Sequence, residues 1–65
     1  MQIIVNAEPR EIHAATLDAA LKELGFTSPA IATALNGQFV SRAKRVDTVL
    51  TAGDRLEVLS PMQGG

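Results

Sequence analysis

The chain closes on Met62-Gln63-Gly64-Gly65, and the group there with the widest chemical scope is the α-carboxylate of Gly65. Two residues without side chains and with broad backbone freedom make a segment thin enough to enter a narrow channel in another protein, with Gly64 as the slim approach. A carboxylate is a poor acyl donor, but adenylation by ATP turns it into an activated acyl group open to attack by sulfur or an amine. That chemistry asks nothing catalytic of the chain that bears the carboxylate. A frayed end with no role would carry the same two glycines, so the tail alone leaves both readings open.

The remaining candidates for chemistry are few. The absence of cysteine removes disulfides, thiolate nucleophiles and sulfur-ligated metals together. His13 is the single histidine, and Asp47, Asp54 and Glu57 show no ligand spacing, so no metal site is expected. Glu8, Glu11, Asp18 and Glu23 fall in turns and on a helix surface, where nothing pairs them for acid/base work. Gly37 and Gly53 belong to turns, since no phosphate-cradling glycine pattern occurs. Arg42, Lys44 and Arg45 cluster in a segment read as a solvated loop, with contact to an acidic partner surface as the functional alternative. No catalytic residue and no bound cofactor are expected.

Bulk properties narrow the field further. Sixty-five residues suffice for one domain, which buries only about 60% of its unfolded surface and has little room for a private substrate pocket. A formal charge of -1 offers no excess to neutralise phosphates, and Phe26 and Phe39 are the only aromatics, so nucleic acid is excluded as a partner. The apolar run Ile3-Ile4-Val5 is too short for a leader or a membrane span, giving a cytoplasmic expectation with no membrane partner.

The elements that must position the tail are legible from periodicity. Ile3 and Val5 mark a first strand; Asn6-Ala7-Glu8-Pro9 carries turn formers, and Arg10 to Ala14 returns as a second strand around Ile12. Leu17, Ala20, Leu21 and Leu24 share one helical face. Thr16 is the N-cap, Asp18 and Lys22 form an i, i+4 pair, and Gly25 stops the helix with Phe26 folding back over Leu21. Ala30 to Leu35 and Gln38 to Ser41 flank Asn36-Gly37, the signature of a tight hairpin. Positions 41–50 read as loop plus a short helical turn. Leu56 and Val58 then alternate with Arg55 and Glu57 in a last strand ending near Ser60. The expected class is α+β: a mixed sheet of about five strands packed on one main helix. Residues 1–60 form the domain and residues 61–65 a flexible tail.

Ile3-Ile4-Val5-Asn6, the helix from Thr16-Leu17 to Leu24-Gly25, Ala34-Leu35-Asn36-Gly37-Gln38-Phe39-Val40, and Gly53-Asp54-Arg55-Leu56-Glu57-Val58-Leu59-Ser60-Pro61 with Gly64-Gly65 together resemble the ThiS family of thiamine-pathway sulfur carriers. The resemblance covers nearly the whole chain. It implies a ubiquitin-like β-grasp fold and a C-terminal thiocarboxylate that carries sulfur to the assembly of the thiazole ring. It further implies that Gly65 is adenylated by a partner of the ubiquitin-activating type, using ATP on that enzyme. Sulfur would originate from a cysteine desulfurase and be delivered to thiazole synthase. Ser41 and Arg45 depart from the family's usual Pro and downstream Trp at those places. Molybdopterin-type sulfur carriers and ubiquitin-like modifiers share the terminal motif, and a plain interaction module is the non-chemical alternative. Ile4, Leu59 and Met62 fall off the core-facing positions and are candidates for partner docking near the tail, with scattered surface apolars as the alternative. The free chain is expected to be a monomer with a mobile tail after Pro61.

Overall fold

Ile3 and Val5 are buried while Gln2 between the chain start and Ile3 is exposed, and this alternation builds β1 (Gln2–Val5). The computed structural model describes residues 1–60, and the expectations for the tail, including its mobility after Pro61, lie outside the described residues. Five strands form one sheet in the order β2-β1-β5-β3-β4: β2 (Glu8–Glu11), β3 (Ala32–Leu35), β4 (Gln38–Val40) and β5 (Arg55–Leu59) join β1. The central strand β5 runs parallel to β1 and antiparallel to β3, so the sheet is mixed as expected. One α-helix, α1 (Leu17–Leu24), and a 3-10 helix, η1 (Arg42–Asp47), complete the described chain.

Helix α1 begins and ends where its sequence says. Thr16 is extended and its Oγ1 accepts from the Ala19 N–H at 3.3 Å. Gly25 takes φ of 89°, its N–H donates to Lys22 and the Phe26 N–H donates to Leu21 at 2.8 Å, the paired bonds of a Schellman stop. Leu17, Ala20 and Leu21 face a core of Ile3, Val5, Ile12, Ile31, Leu50, Leu56 and Val58, with Phe26, Leu35 and Val40 half-buried against it. The helix start is fastened to the far side of η1, where Leu17 N–H donates to Thr48 and Leu50 N–H donates to Ala15.

Local expectations are corrected in the first hairpin, in the basic cluster and at the start of β3. The first turn is the two residues Asn6 and Ala7, at φ of 49° and 70°, and Pro9 lies inside β2 instead of in the turn. Pro9 is tolerated because β2 is an edge strand and Pro9 faces Ile4 in a position whose backbone nitrogen points away from the sheet. As a consequence β2 ends at Glu11, and Ile12 enters the core as the first residue beyond it. Glu8 and Glu11 are strand residues, the latter 2.9 Å from the Met1 ammonium. Finally, Arg45 does not join Arg42 and Lys44 in a solvated cluster: it is only 6% exposed. The segment before β3 also starts its ladder at Ala32, two residues later than its apolar content suggests.

Candidate functional site

Strand β5 is the element that leads into the tail, and both of its flanks are held by an asparagine side chain. On the β1 side, the Asn6 N–H donates to Leu56, and the next ladder bond would join Val58 N–H to the Asn6 carbonyl. Because Asn6 has turned into the left-handed region, its side chain takes over: Val58 N–H donates to Oδ1 at 2.8 Å and Nδ2 donates to the Val58 carbonyl at 3.3 Å. On the β3 side Asn36, at φ of 52°, repeats the device. Its N–H donates to Arg55, and the Arg55 N–H donates back to Asn36 Oδ1 at 2.9 Å. Each side-chain amide stands in for a peptide that the hairpin turn removed from the ladder, so the strand before the tail is clamped from two sides.

The sheet face opposite α1 carries the docking candidates. Leu59 is 69% exposed there and pairs with Ala32; Ala34 lies between Glu57 and Phe39, and Phe39 is 72% exposed. Together Ala32, Ala34, Phe39 and Leu59 line a shallow apolar depression bordered by Glu57. Ile4 is half-buried on the same face but lies across β5, paired with Arg55, in a separate depression with Ala7, Asn36, Gly37 and Glu57. Met62 and the tail glycines Gly64 and Gly65 lie outside the described residues. Phe39 escaped the sequence reading, although a signal existed: the two-residue Asn36-Gly37 turn pairs Leu35 with Gln38 and so sets Phe39 opposite Ala34, away from the core.

Elsewhere the polar groups serve structure. Glu23 accepts from the backbone N–H groups of His13 and Ala14 at 3.0 and 2.9 Å and meets His13 Nδ1 at 3.1 Å. The His13 N–H, above all, lowers its pKa below the ordinary 4.5. Asp54 accepts from the Thr51 N–H at 2.8 Å and from Asn36 Nδ2 at 3.1 Å, and the Thr51 bond is the chief cause of its lowered pKa. Asp18 pairs with Lys22 at 3.4 Å. Arg45 donates from Nε to Thr33 Oγ1 at 3.2 Å and from Nη2 to the Ile31 carbonyl at 2.9 Å. Among the described residues no cluster of metal-ligating side chains occurs, and no helix is long and apolar enough to cross a membrane.

A five-stranded mixed sheet closed on one face by a single main helix, with the last strand at its centre, defines a ubiquitin-like β-grasp protein. A crystal structure of the thiamine biosynthesis protein (ThiS) from Geobacter metallireducens superposes with a TM-score of 0.83 at 28% identity, covering 100% of both chains. The solution structure of a thiamine biosynthesis protein from the same organism gives 0.80, covering 100% of this chain and 88% of the other. The ThiS family profile matches residues 3–65, and the chain belongs to that family of small sulfur carrier proteins of thiamine biosynthesis. Sulfur carrier protein ThiS of Thermus thermophilus is 36% identical over 61 residues, 94% of this chain and 95% of that protein. A thiazole synthase of Paramagnetospirillum magneticum is 32% identical over 66 residues, spanning 100% of this chain but only 20% of the synthase.

Proposed function

We propose that this chain is a protein co-substrate, not a catalyst, whose Gly65 carboxylate is adenylated by a ubiquitin-activating-type partner and converted to a thiocarboxylate that supplies sulfur for thiazole formation. The observation that carries the reading is the reach of the family match to residue 65, which puts Gly64-Gly65 inside it. ATP is used on the partner, pyrophosphate leaves on activation and AMP leaves when the terminal sulfur of a desulfurase-derived persulfide attacks the acyl carbon; a thiol reductant then cleaves the resulting S–S bond and leaves the thiocarboxylate. What the chain itself contributes is delivery. The asparagine clamps fix the register of β5, so the tail starts from a defined place.

Beside that place the face bearing Leu59 and Phe39 gives the partner an apolar grip, with Met62 as a further candidate, while Ile4, level with Arg55 at the start of β5, offers a separate contact. Thiazole synthase is the proposed acceptor of the sulfur, a reading supported by a synthase that carries a segment similar to this chain within its own length. The setting proposed for this work is the cytoplasm.

The test is the intact mass of the chain after incubation with ATP, the adenylating partner and a sulfur donor. The expected result is the gain of one sulfur for one oxygen, absent from a chain lacking Gly65. An unchanged mass, with the partner active on another carrier, overturns the reading; isopeptide conjugates to other proteins in its place would assign the same tail to modification.

A further inference from the structure

A recess lies between α1, the stretch from Phe26 to Ile31, and η1, and Arg45 forms part of its wall. Both acceptors that hold this nearly buried guanidinium, the Ile31 carbonyl and the Thr33 hydroxyl, are neutral. No carboxylate stands within 4.0 Å of it among the described residues. A charge withdrawn from water without a counter-charge is costly, and an anion within reach reduces that cost. Among the described residues Nη1 makes no hydrogen bond, yet no side-chain nitrogen sealed from solvent lacks a partner there. Nη1 is therefore not fully sealed from solvent, and Arg45 is one of the residues that line the recess. The inner edge of the guanidinium is spent on the fold, and its end-on edge, which suits a pair of oxygens, is left over.

The other walls agree in sign. Arg42 is exposed, lines the recess and forms no ion pair among the described residues; Lys22 lines it as well and shares its charge with Asp18, the one carboxylate present. Ser28, on the recess wall, accepts from Ala30 N–H at 3.2 Å, and its hydroxyl donates to no group among the described residues. With three cations against one carboxylate, the recess is positive on a chain whose net charge is -1. It also adjoins the end of the sheet from which the tail departs, because Ile31 immediately precedes Ala32, the partner of Leu59.

We propose that this recess is an oxyanion site, in which Arg45 and Arg42 share two oxygens of a phosphate or a carboxylate. The oxyanion comes either from free phosphate or from an acidic side chain of a docked protein. The site stands on the geometry of this chain and does not depend on the tail chemistry.

The test is a titration of the intact chain with inorganic phosphate, followed by backbone amide shifts at constant ionic strength against sodium chloride. Saturable shifts centred on Lys22, Thr27, Ser28, Arg42 and Arg45 are expected, with roughly threefold or greater weakening in Arg42→Ala, which removes an exposed partner. Shifts that are non-saturating, or equal in chloride, overturn the site, as does an Arg42→Ala chain that binds phosphate unchanged. Arg45→Lys, which keeps the charge and loses the end-on edge, is expected to weaken binding further; should it not fold, Ser28→Ala replaces it and is expected to weaken binding as well, unchanged binding again counting against the site. A second arm rests on the proposed activation and separates the two sources. If phosphate at a saturating concentration weakens the complex with the adenylating partner, an acidic side chain of that partner occupies the recess; if the complex is indifferent, the site serves free phosphate.

Discussion

At the scale of single residues, the most informative groups are Asn6 and Asn36, whose side chains complete the ladder on either side of β5. Asn6→Gly keeps the left-handed backbone available and removes only the amide, so its effect isolates the clamp. The expected cost is about 1 kcal/mol, the usual net value of such bonds. Amide exchange gives the sharper readout, with Val58 losing protection in Asn6→Gly while Arg55, held by Asn36, keeps it. Uniform loss across β5 would mean that the side chain merely stabilises the hairpin. Both asparagines were visible in the sequence as turn formers. Their second role was not, because it depends on which strand lies next to each turn, and that is set by contacts between residues distant in the chain.

Elements differ in how openly their sequence announces them. Helix α1 carries its start, its face and its stop within a few residues, and the structure follows them closely from Thr16 to Phe26. The first hairpin is less explicit, because Ala7 occupies the position where a tight turn of this hand favours glycine. An L-residue at φ of 70° is strained, and a Cβ-free residue there is not. Ala7→Gly is therefore expected to stabilise the chain by about 1 kcal/mol, read as a higher urea midpoint with an unchanged slope. A lower midpoint would show that the unfolded chain gains more freedom from glycine than the turn gains in relief. The same strain explains why the turn read as four residues ending at Pro9: Asn-Ala is a weak signal and proline a loud one, although on an edge strand proline costs no bond.

For the molecule as a whole, one face of the sheet is sealed by α1 and the other presents Leu59 and Phe39. Leu59→Asp is expected to weaken the complex with the adenylating partner at least about tenfold, as loss of a buried apolar anchor would, while leaving the melting curve of the free chain nearly unchanged. Equal affinity would remove that face from the interface. The acid limb of stability follows from Glu23 and Asp54, whose folded pKa values lie below the ordinary 4.5 and 3.8. A carboxylate depressed in this way stabilises the fold while it is ionised in both states, and that contribution disappears as pH falls through the folded value. These two groups therefore add no pH dependence from neutrality down to about pH 5 and a decline below it. Glu23→Gln is expected to be less stable at neutral pH and to have a shallower acid limb, measured by urea midpoints across that range. A limb of unchanged steepness would exclude Glu23 as a contributor.

Sequence by itself determined the helix, the Asn36-Gly37 hairpin, the last strand and the alternation that selects Ile3, Val5, Leu56 and Val58 for the core. It also carried the resemblance that the family match later established. These are consequences of near neighbours, since caps, turns and periodic faces are written within a few residues. Only the tertiary structure decided that β5 lies at the centre of the sheet, that Phe39 joins Leu59 outside it, and that Arg45 turns inward. Arg45 shows the physical reason most clearly. Three basic residues in a four-residue stretch look alike to local rules, and the one that is buried is the one for which Ile31 and Thr33, brought over by β3, offer oxygens.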